Sequence, residues 1–168
     1  MKPVIIACMA CLLTLNTVAQ NLVPNCSFEE IVGCPDGLGY IHYAKGWYSA
    51  ERAIVSSPDY FVNCNGSSLV PQTNISFQYP ATVAAFAGII PWSNRYFDTI
   101  YDNREFIGVR LKSALVVGQH YYVSFKVNLA VGTQSAFASN KTGILFSTSP
   151  HNIDNPPPMN NFAHMYTN

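Results

Sequence analysis

Charge is what this chain has least of. Only 11% of its 168 residues are Asp, Glu, Lys or Arg, and the formal net charge is zero. Phosphate-backbone binding needs clustered cations, so no electrostatic footprint for nucleic acid is present. Metal-ligand spacings are missing too: beyond the N-terminal segment that holds Cys8 and Cys11 there is no Cys-x-x-Cys, there is no His-x-x-x-His, and His42, His120, His151 and His164 are scattered. A zinc site therefore has poor support. The nucleophile pattern Gly-x-Ser-x-Gly is absent, which lowers the expectation of acyl-transfer hydrolysis, although triads are defined by geometry rather than order. Beyond the N-terminus, no helical pattern of ten or more residues occurs. These absences leave a nearly neutral, aromatic-rich chain with 10 Tyr, 10 Phe and 2 Trp, long enough for one domain with a proper core.

The first twenty residues read as a targeting segment. Lys2 is a one-charge leader, Val4 to Leu15 is apolar, and Thr17-Val18-Ala19 places small residues where signal peptidase cuts, before Gln20. A membrane-spanning helix needs about 20 predominantly apolar residues, more than this run has. Lipidation at Cys8 or Cys11 is a weaker alternative, since the stretch before Cys8 is too short for the usual leader. We expect 1–19 to be a cleaved signal, 20–147 a β domain, and 148–168 a Pro- and Asn-rich loop at the end of the same domain. The mature chain then has one fewer cation than its nine acidic residues.

Export also bears on the cysteines. Cys26, Cys34 and Cys64 remain in the mature chain, and an oxidising compartment favours pairing. Cys34-Pro35 and Cys64-Asn65 both lie in turn-rich sequence, so Cys34 with Cys64 is the expected disulfide. It closes a loop of roughly 30 residues and constrains the unfolded chain by about 3 to 4 kcal/mol. Cys26, beside Phe28, is expected to be a small buried thiol.

The strand signals follow a period of two. In Tyr121 to Leu129 the apolar Val123, Phe125, Val127 and Leu129 alternate with Ser124, Lys126 and Asn128. This pattern predicts a half-buried antiparallel strand, taken here as the central one, with the stripe Val123, Phe125, Val127 in the core. Shorter signals are a first strand from Asn21 to Glu29 broken at Pro24, Asp59 to Asn63, the alternation Ile75, Phe77, Tyr79, then Val83 to Ile90, Arg104 to Leu111, and Gly143 to Ser147. Trp47 is assigned to the core, and a turn is expected at Val117-Gly118. Such recurrence predicts an all-β antiparallel β-sandwich or jelly roll.

Several of these stretches resemble a known domain type. Asn21-Leu-Val-Pro-Asn-Cys-Ser-Phe-Glu29 is similar to the opening of secreted galactose-binding-like jelly rolls, a superfamily that includes many carbohydrate-binding modules. The series Cys34-Pro35, Ala44-Lys-Gly-Trp-Tyr48, Ser57-Pro-Asp-Tyr-Phe61, Cys64, Arg104-Glu-Phe-Ile107 and Tyr121-Tyr-Val-Ser-Phe125 resembles domains exported by Bacteroidota. Those lie at the N-terminus of cell-envelope proteins, some with an OmpA-like domain or a type IX secretion sorting signal. The likeness covers most of 21–147. Cys26 departs from the glycine expected after Asn25. The resemblance also implies one or two closing strands, including a tryptophan-bearing segment, beyond the Pro-rich loop, so the domain is expected to lack its last strand or strands here. Finally, it points to a structural calcium near the first strand, at Glu29 or Glu30, which would suit a hard cation; no Asp-x-Asp-x-Asp run accompanies them.

For function, the informative segment is 91–104. Sugars stack their C–H faces on aromatic rings while polar neighbours fix the hydroxyls. Trp92, Tyr96 and Tyr101 would be platforms, and Asn94, Arg95, Asp98, Asp102 and Arg104 the hydrogen-bonding partners. The competing expectation is that these rings fold down as a loop core. Glycosidase chemistry would need two facing carboxylates, drawn from Glu29, Glu30, Asp98, Asp102 and Glu105, for which a solvated face is the simpler expectation. Asn25-Cys-Ser, Asn65-Gly-Ser, Asn74-Ile-Ser and Asn140-Lys-Thr match the Asn-linked acceptor pattern, relevant only to a eukaryotic secretory route, and Asp98-Thr99-Ile100 matches a short bacterial O-glycosylation pattern. The reading is a non-catalytic, exported recognition or adhesion module of the periplasm, outer membrane or cell surface. It needs no cofactor beyond the calcium just named. Its partner is a glycan or envelope component, with membrane association only through the signal or the rest of the polypeptide. The alternative is a structural spacer in a larger OmpA-like or gliding- or secretion-associated envelope protein.

Overall fold

The computed structural model describes residues 20–50, 57–64, 67–68, 70–73, 77–92, 104–130, 142–152 and 165–166. Among them are a 3-10 turn at Ile41–Tyr43 and seven short strands: β1 Trp47–Ser49, β2 Asp59–Cys64, β3 Ser67–Ser68, β4 Ala85–Gly88, β5 Ile107–Val109, β6 Gly143–Ile144 and β7 Met165–Tyr166. Every pairing is antiparallel, and no α-helix occurs among the described residues, so the chain is all-β. The strands form a three-stranded sheet in the order β3-β2-β4 and two pairs, β1-β5 and β6-β7.

The organising strand is β2. Tyr60, Phe61 and Val62 are consecutive and all buried, which a strand achieves only when both of its faces are covered. On one face Tyr60 and Val62 join Ala44 and Ala85 in the core, with Phe28, Tyr40, Tyr43, Trp47 and Cys64 packed around them. On the other face Phe61 lies across from Phe86 of β4, their ring centroids 5.1 Å apart. Trp47, expected within the core, is half-buried and packs against its edge. At the outer end of β2, Cys64 is bonded to Cys34, the expected disulfide, with Cα atoms 6.0 Å apart.

The stretch 21–29 is a turn rather than a first strand. Asn25 and Phe28 adopt positive φ angles of 44° and 65°, a region strands do not visit. Side chains hold the turn in place. Asn25 Nδ2 donates to the carbonyls of Glu30 and Lys45, and its Oδ1 accepts from Glu30 N–H. Trp47 Nε1 donates to Asn25 O, and the Tyr60 hydroxyl donates to Phe28 O at 2.6 Å. The Phe28 ring packs on Trp47 at 4.5 Å. Because Phe28 takes the inward position, Cys26 is turned out and exposed, not buried as expected.

The stretch 121–129 is not the central strand. No ladder partner is present for it among the described residues, Val123 is half-buried, and Phe125 and Val127 are exposed; the stripe is not core. Its fastenings are side chains: Val116 N–H donates to the Tyr121 hydroxyl, which donates to Gln119 Oε1, and Asn128 Nδ2 donates to Gln78 Oε1. Alternation records which face a segment is able to bury, not whether a neighbouring strand lies there. Similarly, Phe77 forms a single bridge with Gln72, and Phe77 and Tyr79 are exposed, while Ile75 lies outside the described residues. The signals at 83–90, 104–111 and 143–147 do contain strands, β4, β5 and β6. The turn at Val117-Gly118 is present, closed by Gln119 N–H to Val116 O at 3.1 Å.

Candidate functional site

The base of segment 91–104 is built by one buried side chain. Asp59 of β2 faces Gly88 of β4, so continuing that register sets Ser57 opposite Ile90. At this next rung the strands do not bond each other. Glu105 lies between them: its Oε1 accepts from Ser57 N–H at 3.0 Å and from the Ser57 hydroxyl at 3.3 Å, and its Oε2 accepts from Ile90 N–H at 2.7 Å. Glu105 N–H in turn donates to Ile90 O at 2.8 Å. The carboxylate thus replaces a rung of the ladder, and the two ends of the segment are tied together at 90 and 105. Glu105 is only 5% exposed; the solvated face expected for it is wrong, because three donors hold it inside.

Two residues along β2, Asp59 accepts from Gly39 N–H at 2.7 Å. Burial pushes its carboxyl up to about 6; the Gly39 bond opposes the rise and the negative charge of Glu105 adds to it. Burial likewise holds Glu105 above the ordinary carboxylate range, only partly offset by the Ile90 and Ser57 bonds. Two carboxyls thus share the splayed end of the β2–β4 ladder, a juxtaposition that composition and spacing gave no means of finding. The nearest signal was that Ser57-Pro-Asp59 and Arg104-Glu105 stand beside strand signals.

Of the residues expected to bind a ligand, Trp92 and Arg104 are described. Trp92 projects with 56% of its surface exposed, two residues beyond Ile90. Arg104 is half-buried and directly precedes Glu105. The Ile90–Glu105 tie therefore brings the two ends bearing Trp92 and Arg104 together. Asn94, Arg95, Tyr96, Asp98, Tyr101 and Asp102 lie outside the described residues, as do the signal and Cys8 and Cys11.

Glu29 and Glu30 have other engagements. Glu29 Oε1 accepts from the Thr82 hydroxyl at 2.6 Å and from Val83 and Ala84 N–H at 3.0 Å each. Its burial acts to raise the carboxyl, but the bonds from Thr82, Ala84, Val83 and Ala85 outweigh that and hold it below its ordinary value. Glu30 pairs with Lys45 Nζ at 3.0 Å on the surface. Calcium takes six to eight oxygens. One of these carboxylates accepts three N–H or O–H donors and the other faces an ammonium, and no group of three or more His, Cys, Asp or Glu gathers among the described residues. Compared with protein-family models, with curated proteins and with solved structures, the chain matches none.

Proposed function

We propose that this chain is an exported, non-catalytic recognition module of the cell envelope whose ligand is a glycan, bound by segment 91–104 on an antiparallel sandwich of the jelly-roll type. The observation that carries the reading is the exposed indole of Trp92 on a segment whose two ends are locked by Glu105. A binding ring must remain in solvent when free, yet stand on a base that does not yield, so that little order is lost on binding. Trp92, Tyr96 and Tyr101 would stack on sugar rings, and Asn94, Arg95, Asp98, Asp102 and Arg104 would bond the hydroxyls. The resemblance of 21–147 to exported Bacteroidota domains and the Cys34–Cys64 disulfide agree with an oxidising, extracytoplasmic setting.

The test is a glycan array probed with the chain and its Trp92→Ala variant. Loss of one aromatic platform should weaken binding by about 1 to 3 kcal/mol. Binding by neither, with both folded, overturns the reading. A second reading, a spacer seated in a larger envelope protein, draws on the exposed apolar run Tyr122, Phe125, Val127 and Leu129, since such patches are usually covered by a neighbour. It predicts no glycan binding and protection of 121–129 from hydrogen exchange only when the flanking polypeptide is present.

A further inference from the structure

We propose that Asp59 and Glu105 form a one-proton switch at the splayed end of the β2–β4 ladder, in which the proton enters on Asp59 while Glu105 remains the ionised acceptor for Ser57 and Ile90. The hydrogen bonds decide which carboxyl takes the proton. Both Glu105 oxygens already face donors, from Ser57 N–H and hydroxyl on one and Ile90 N–H on the other. A proton placed there would set donor against donor and break the wedge. Asp59 uses Oδ1 for Gly39 N–H, while its Oδ2 lies on the side of Gly88, 3.7 Å from where a β-carbon on that glycine would stand. Protonation at Oδ2 therefore breaks none of the bonds named here.

Among the described residues, the charge that acts on Asp59 is that of Glu105. Gly88 of β4, Gly39 of the crossing loop and Ser57 do not titrate in this range. The titratable neighbour of Asp59 is Glu105 itself, a like charge, and Arg104 is the cation adjoining Glu105 in sequence. Two like charges sharing a partly buried site favour uptake of one proton. The asymmetry has a direction: mild acid, by neutralising Asp59, removes the repulsion while the bonds from Ser57 and Ile90 to Glu105 stay in place.

The sign follows from linkage. The folded-state value of Asp59, about 6, lies above its ordinary 3.8. Its contribution is therefore fully present below the ordinary value and is lost as pH rises through the folded value. Between pH about 8 and pH about 5 the unfolding equilibrium constant should fall by about tenfold at most, less in proportion to the solvent that reaches Asp59.

The experiment is a carbon-13 titration of side-chain carboxyls in the disulfide-intact chain, with urea unfolding across the same pH range for wild type and Asp59→Asn. Asparagine keeps Oδ1 for Gly39 and removes the charge. The expected result is one Asp carboxyl titrating near 6, a wild-type urea midpoint that rises as pH falls to about 5, and a much shallower rise in the variant. Titration of every Asp carboxyl near its ordinary value, or an unchanged rise in Asp59→Asn, overturns the proposal. The wild-type titration decides the matter alone if the variant does not fold. Neither readout involves a ligand, so this result stands apart from the glycan array.

Discussion

Ser57 and Ile90 stand opposite each other at the end of the β2–β4 ladder, and both of their N–H groups donate to the one carboxylate of Glu105 instead of across the strands. This substitution makes Glu105 the joint between the sheet and the segment carrying Trp92. Glu105→Ala should remove the shared acceptor of two backbone donors whose bonds are part-buried and lower stability by about 1 to 3 kcal/mol. Glu105→Gln restores the shape but turns an amide toward one of the donors, so it should recover only part of that loss. Urea unfolding at neutral pH measures both. An unchanged midpoint for Glu105→Ala would mean that Ser57 and Ile90 bond each other once the wedge is removed.

Gly108 of β5 pairs with Tyr48 of β1, and the ring lies where a β-carbon would go. A methyl group there would approach Tyr48 Cζ to 2.5 Å, far inside van der Waals contact. Gly108→Ala must therefore displace a rigid ring, at a cost of about 1 to 3 kcal/mol. Gly46 is the control: it has a positive φ of 84° but nothing within 4 Å, so Gly46→Ala tests backbone strain without a clash. Thermal unfolding of the pair separates the two causes, and equal losses would show that the contact with Tyr48 is of no consequence.

What was legible in the sequence was mostly local. β4, β5 and β6 lie inside apolar runs, and the turn at Val117-Gly118 follows from a glycine at φ 80°. The disulfide was legible because two cysteines stood in turn chemistry. What misled was alternation without a partner: residues 121–129 have a better period of two than β2, yet β2 is the strand buried on both faces. The short run from Tyr60 to Val62 concealed its importance because a doubly covered strand has no alternation to display. In the candidate site, the aromatic loop of mixed polarity left both exposed platforms and a folded-down loop core open, and Trp92 is exposed. The Glu105 wedge depends on residues 48 and 15 positions away, a tertiary relation that local pattern does not carry.

Asn25 offers a test of the turn that replaced the expected first strand. Its side chain makes three hydrogen bonds, to Glu30 O, Lys45 O and Glu30 N–H, from a backbone at φ 44°. Asparagine tolerates that region better than most residues. Asn25→Ala loses the bonds and adds strain, so about 2 to 3 kcal/mol should be lost. Asn25→Gly relieves the strain and loses the bonds alone, and should cost less. If glycine is the worse of the two, the bonds are worth little and the flexibility of the free chain dominates.

The cysteines give a three-way comparison. Cys34 and Cys64 are bonded across a separation of 30 residues, while Cys26 is exposed and free. The double variant Cys34→Ser, Cys64→Ser should lose about 2 to 4 kcal/mol, the usual cost of releasing a loop of this length in the unfolded chain. Wild type treated with reductant should fall to nearly the same value. Cys26→Ser, on an exposed turn, should change stability by less than about 0.5 kcal/mol. Denaturant unfolding with and without reductant reads all three. If Cys26→Ser is the costly change and the double variant is silent, the bond joins a different pair. The turn at 24–27 and the outer end of β2 would then need another account of what fastens them.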